Sequence, residues 1–168
     1  FKFLTANSNG GTADMLLRMR VQNFAIISDL SLDFAQGLNV FSGETGAGKS
    51  IVIEALGFVL GARGDVSVIK DGADKMSVTA SFSSQDLPAE LRKEFQIAAD
   101  VFTLKRELDR KGKSKAAVDG RTVTVTALAR LGRALVDFHG QHEHQSLLHS
   151  SVHLALLDKF AKHDALVN

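Results

Sequence analysis

The sequence predicts an α/β fold. Three observations predict it. Apolar and polar residues alternate with period two over residues 17–22, 76–82 and 101–108, the pattern of half-buried strands. A short apolar run, residues 38–41, leads straight into a glycine-rich loop followed by apolar residues at helical spacing. Further helical patterns occupy residues 126–133 and the stretch from Ser146 onward. Strands interleaved with helices around an early strand–loop–helix unit define the class, with a mixed β-sheet.

In chain order, residues 1–14 form a polar, glycine-containing run without periodicity, read as a flexible tail or a cloning scar. From Leu16, Leu17, Met19 and Val21 alternate with Arg18, Arg20 and Gln22, which suits a strand. Leu30, Leu32 and Phe34 alternate with Asp29, Ser31 and Asp33, a second strand that Gln36-Gly37 ends. After the glycine loop, Ile51, Ala55, Leu56, Val59 and Leu60 recur at helical spacing, and Gly61 is a favoured helix stop. Met76, Val78, Ala80 and Phe82 mark another strand, and Pro88 opens a short helix, since proline suits the first turn. Residues 101–108 and 115–118 read as a hairpin joined by a polar connector, with Asp119-Gly120 as the next turn. Residues 126–133 read as a helix and 134–138 as a short buried strand. Leu147, Leu148, His153, Leu154, Leu157 and Phe160 then supply one broad helical face.

Composition excludes several classes. Of the 168 residues, 45% are hydrophobic and 23% charged, an ordinary globular balance. No apolar run approaches the roughly 18–20 residues of a membrane span, so no membrane partner is expected. With no cysteine there is neither a disulfide scaffold nor a cysteine-ligated metal, and a reducing, intracellular setting fits. The formal net charge of +1 makes no global claim on nucleic acid. Locally, Lys105, Arg106, Arg110, Lys111, Lys113 and Lys115 face only Glu107 and Asp109, a basic run able to touch phosphate or simply to solvate a loop tip. Tyrosine and tryptophan are absent, and the 11 phenylalanines sit in apolar strings that suit a core.

The loop Gly43-Glu44-Thr45-Gly46-Ala47-Gly48-Lys49-Ser50 satisfies the P-loop pattern in full. Glycines at 43, 46 and 48 let backbone N–H groups approach phosphate oxygens closely. A helix beginning near Lys49 aims its free N–H groups and positive dipole end at the same anion. Lys49 is a mobile point charge for the β- and γ-phosphates, and the Ser50 hydroxyl is an oxygen ligand for Mg²⁺. At a glycine frequency of about 7%, a random chain of this length matches under about once in a hundred. The flanking strand and helix are what the motif requires. ATP with Mg²⁺ is therefore the expected ligand.

Residues 21–27 (Val-Gln-Asn-Phe-Ala-Ile-Ile), residues 38–42 and the loop resemble the start of ATPase heads in the SMC-like branch of the ABC superfamily. There an Asn-Phe pair, here Asn23-Phe24, stands two strands ahead of the loop. The helix from Ile51 to Gly61, the following Ala62-Arg63, and residues 136–148 and 153–158 extend the similarity to a bacterial DNA-repair family of that branch, over residues 15–160. The resemblance implies a head split in sequence, with the P-loop and Q-loop in an N-terminal lobe and the signature motif and Walker B acids in a C-terminal lobe beyond a coiled coil. No Leu-Ser-Gly-Gly signature and no apolar run ending in Asp-Glu occurs here. The expectation is an N-terminal lobe over residues 15–145, with residues 146–168 a helix leading toward the coiled coil.

The resemblance further implies a composite ATPase in double-strand break repair and recombination. Its partners are the C-terminal lobe, a second head in an ATP-dependent homodimer, and DNA, in a bacterial, nucleoid-associated, cytoplasmic setting. Gln141 aligns with the Q-loop glutamine, a ligand of Mg²⁺ or of the attacking water, and Gln145 is the alternative. Asn23, Gly43 to Ser50, Ile51 and Arg63 make up the nucleotide set. Arg63, and more weakly Lys70, hold the place of a basic residue that acts on nucleotide or DNA, against a bland reading as solvated charge.

Six histidines (His139, His142, His144, His149, His153 and His163) raise a zinc reading, since His149 and His153 share a helical face and Glu143 is near in sequence. No His-Glu-x-x-His motif supports it. A stand-alone P-loop kinase or GTPase is the main rival class, but no Asn-Lys-x-Asp guanine motif is present. A non-catalytic nucleotide-binding module and another SMC-like head, such as the RecF type, complete the alternatives.

Overall fold

A computed structural model describes residues 16–35, 37, 39 and 48–136, apart from the Lys49 side chain. Six strands form one sheet: β1 (Leu16–Phe24), β2 (Ile27–Asp33), β3 (Lys75–Ser83), β4 (Val101–Asp109), β5 (Ser114–Val118) and β6 (Arg121–Val123). Their order is β2-β1-β3-β4-β5-β6, and every ladder among the described residues is antiparallel. The helices are α1 (Gly48–Val59), α2 (Ala89–Glu94) and α3 (Val125–Leu135), with a 3-10 turn at Val66–Val68.

The alternation legible in sequence sets the two sheet faces. Met19 and Val21 on β1, Met76, Val78, Ala80 and Phe82 on β3, Phe102, Leu104 and Leu108 on β4, and Ala116 and Val118 on β5 are all buried. Successive side chains alternate faces, so one face carries the core and the other faces water. Phe82 and Phe102 lie opposite each other in register and stack with ring centroids 5.9 Å apart.

Helix α1 buries Val52, Ala55, Leu56, Phe58 and Val59. The ring of Phe58 meets that of Phe24 edge-on, 6.1 Å between centroids, which ties the helix to the end of β1. Helix α3 begins at Thr124, whose hydroxyl accepts the Ala127 N–H at 3.1 Å, and it buries Leu128, Leu131 and Leu135. Where α3 passes the end of α1, glycine is obligatory. A Cβ on Gly132 would stand 2.3 Å from the Leu60 carbonyl oxygen, and one on Gly61, which holds φ +106°, would stand 2.5 Å from Ala129 Cα.

Three sequence expectations need correction. Pro88 is the N-cap of α2, one place ahead of the first helical turn. Ala134 and Leu135 belong to the last turn of α3, so the strand expected from Ala134 does not begin there. Val136 is extended and buried, and residues 137 and 138 lie outside the described residues. The Asp119-Gly120 turn closes a further hairpin whose short third strand, β6, escaped the alternation test because three residues carry too little periodicity. The strand expected over residues 38–41 and the helix expected from Ser146 both lie outside the described residues.

Candidate functional site

Helix α1 starts at Gly48, so the last glycine of the loop already belongs to its first turn, followed by Lys49 and Ser50. Gly48 and Ser50 are exposed, and a Cβ on Gly48 would meet nothing within 4 Å. No acidic residue occupies the first turn, so no side-chain carboxylate of that turn competes for its free N–H groups. The helix is 12 residues long and buries Val52, Ala55, Leu56, Phe58 and Val59 against the rest of the unit, which gives its N-terminus a rigid base. An open, positively polarised helix start with an exposed hydroxyl suits an oxyanion and a hard, oxygen-seeking cation together. Ile51, the next residue, is half-buried. Residues 43–47 and both glutamine candidates, Gln141 and Gln145, lie outside the described residues, as do all six histidines.

The remaining predicted residues surround other parts of the unit. Asn23 adopts φ +54°, donates its side-chain amide to the Lys75 carbonyl at 3.3 Å and accepts the Lys70 N–H on its own carbonyl at 3.0 Å. It thereby pins the turn into β2 and the start of β3 together. Lys70, proposed in sequence as a basic residue toward nucleotide or DNA, donates its ammonium to the Ile26 carbonyl at 3.3 Å. Arg63 is exposed and follows the C-terminal end of α1, about 18 Å of helix from its N-terminal start at Gly48. Nearby, Asp65 caps the 3-10 turn. The backbone N–H of Ser67 holds its carboxyl below the usual range, helped by the Ser67 side chain and the charge of Arg63.

One residue that sequence reasoning placed in a surface patch proves to belong to the support of this helix. Arg106 is only 3% exposed. Its Nη1 donates to the Phe58 carbonyl at 2.7 Å and the Ala62 carbonyl at 2.5 Å, its Nε donates to Ser114 Oγ at 3.2 Å, and its guanidinium lies 4.3 Å from the centre of the Phe58 ring. A cation thus seats the negative end of α1. Burial draws its pKa below the ordinary arginine value. The signal was present in the sequence: Arg106 stands between Leu104 and Leu108 at inward parity, where a solvated charge does not belong.

The AAA domain family pattern matches residues 18–158, well over half of the chain. The chain belongs to the AAA domain family. Within this AAA domain chain, 151 residues, 88% of its length, are 43% identical to the DNA repair protein RecN of Halalkalibacterium halodurans and 38% identical to RecN of Bacillus subtilis. The chain spans about a quarter of those relatives, 27% and 26% of their lengths. The AAA domain fold also superposes on a solved SMC ATPase, from work on ATP-driven dimerization and DNA-stimulated activation. The TM-score is 0.63, the identity 19%, and the coverage 87% of this chain and 99% of that one. The resemblance read from residues 21–27, the glycine loop and residues 136–158 therefore leads to the same relatives, and the fold is that of an SMC-type ATPase head lobe.

Proposed function

We propose that this chain is the ATP-binding N-terminal lobe of an SMC-like ATPase head that serves DNA double-strand break repair and recombination. The observation that carries the proposal is the complete P-loop sequence joined to α1, which opens at Gly48 with Ser50 exposed in its first turn. Residues 15–145 form the lobe and residues 146–168 lead toward a coiled coil. The names of the relatives, a DNA repair protein throughout, support the biological setting.

In this reading the backbone N–H groups of residues 43–50 hold the phosphates, and Lys49 neutralises the β- and γ-oxygens. Ser50 and Gln141 would hold Mg²⁺, which would supply charge neutralisation at those oxygens. Asn23 and Ile51 add nucleotide contacts from this chain, whereas Arg63, beyond the far end of α1, is left for the second role that the resemblance allows it, on DNA. Gln141 orients the attacking water at the lobe boundary. The 168 residues contain no signature motif and no Walker B pair, so a C-terminal lobe and a second head supply them, with nucleotide held between two heads. Phosphoryl transfer depends mostly on positioning and electrostatics, so this chain alone binds ATP without appreciable turnover.

The test is a calorimetric titration of the chain with ATP and Mg²⁺, paired with phosphate-release assays with and without the C-terminal lobe of a RecN relative added in trans. Binding is expected to vanish in Lys49→Ala, and turnover to arise only on mixing. Steady turnover by the chain alone, or ATP affinity indifferent to Lys49→Ala, would overturn the reading.

A further inference from the structure

The outward face of the sheet divides into two electrostatic halves. On β1 and β2 each arginine has its own carboxylate: Arg18 Nε lies 2.5 Å from Asp33, and Arg20 makes two contacts to Asp29 at 3.0 and 2.6 Å. On β3 to β5 that balance is lost. The ammonium groups of Lys75 and Lys105 each lie 3.1 Å from the same oxygen of Glu107, and Lys115 stands directly across from Glu107 in the β4–β5 register.

The turn that joins β4 to β5 adds Lys111 and Lys113, both exposed. Its one carboxylate, Asp109, is occupied in shaping the turn, where it accepts the backbone N–H groups of Lys111 and Lys113 at 3.0 and 2.9 Å. Arg110 does not join the patch. Its guanidinium donates to the Lys70 and Ala73 carbonyls at 2.9 and 2.8 Å and lies 4.0 Å from Asp71. Asp74, exposed ahead of β3, is the remaining acid on that flank. Five lysines, Lys75, Lys105, Lys111, Lys113 and Lys115, thus share Glu107 and Asp109.

Across from Lys105 on β3 stands Thr79, with Ser81 and Thr103 as the next outward pair beyond it, and these outward positions carry no aromatic ring. Neighbouring strands hold their side chains about 4.8 Å apart on a rigid surface. Such a strip offers charge and hydrogen-bond donors but no platform for base stacking. We propose that this lysine strip, from Lys75 across Lys105 and Lys115 to the Lys111–Lys113 turn, binds the phosphodiester backbone of duplex DNA without reading its sequence.

The binding needs no nucleotide, so its failure leaves the P-loop reading untouched. The experiment is fluorescence anisotropy of a short labelled DNA duplex with the chain, in the absence of ATP, between about 50 and 200 mM salt. The triple variant Lys111→Gln, Lys113→Gln, Lys115→Gln is expected to bind about tenfold or more weakly at the low-salt end. The slope of log affinity against log salt should fall by about 0.9 per lost phosphate contact. A control with the same charge change elsewhere, Arg92→Gln, Lys93→Gln, Arg133→Gln, is expected to bind nearly as the parent does. Glu107→Gln, which frees Lys75 and Lys105 from their shared carboxylate and removes the negative charge across from Lys115, is expected to tighten binding. Equal losses in the two triple variants, an unchanged salt slope, weaker binding by Glu107→Gln, a strong preference for single-stranded DNA, or no binding at low salt would each overturn the proposal.

Discussion

Replacing Arg106 with methionine tests whether the P-loop helix depends on a buried cation at its far end. Methionine fills much of the same space, so the change isolates the polar part of the side chain. Two carbonyls feel the loss differently. The Phe58 oxygen keeps the Gly61 N–H, which it accepts at 3.1 Å, whereas the Ala62 oxygen has Arg106 as its one described partner. Leaving the Ala62 oxygen bare costs about 1–3 kcal/mol, and the lost charge-assisted bond to Phe58 adds about 1.5–3 kcal/mol. Loss of the contact with the Phe58 ring adds up to about 2 kcal/mol. Relief of the guanidinium's desolvation, several kcal/mol for a buried ion, offsets much of this sum. A net destabilisation of about 2–4 kcal/mol remains, which lowers Tm by roughly 4–16 °C in a chain this size. Thermal unfolding followed by circular dichroism measures it, with Arg106→Lys as companion. One ammonium cannot span both carbonyls and the ring, so lysine is expected to recover only part of the loss. If Arg106→Met melts within about 0.5 kcal/mol of the parent, the guanidinium is not what seats the helix.

Two further outcomes follow from the packing and the charges. Gly132→Ala drives a methyl group against the Leu60 carbonyl and is expected to cost about 1–3 kcal/mol or more by urea titration, while Gly72→Ala, with open space but φ +79°, costs only its backbone strain of about 1 kcal/mol. The carboxyl of Glu107 is pushed up by burial, yet the bonds from Lys75 and Lys105 outweigh that and hold its pKa below the usual 4.5. A depressed carboxylate stabilises the folded state above its unfolded pKa and loses that contribution as pH falls through the folded value. The stability difference between the parent and Glu107→Gln, under about 1 kcal/mol for so solvated a pair, should therefore be present at pH 7 and disappear on acidification below 4.5. A difference that persists at low pH would assign it to packing instead of charge.

The sequence by itself determined the strands with strict alternation, the helix after the glycine loop and the presence of the P-loop motif from Gly43 to Ser50. Each is a local pattern: a period of two, a period of 3.6, or a fixed motif spacing. The relatives, too, were legible, because Asn23-Phe24, the loop and residues 136–158 are contiguous strings. What tertiary structure decided were the groups whose partners lie far along the chain. In sequence, Lys105, Arg106 and Arg110 are three equal members of one basic run. In the fold, Lys105 faces water beside Glu107, Arg106 turns inward to carbonyls of α1, and Arg110 clasps the turn ahead of β3. Lys75, absent from that run, joins the strip because β3 lies against β4 with Ser77 opposite Glu107. Charge type and count are written in the chain, but parity on a strand and the register between strands set which charge is buried, which is paired and which is left for a partner.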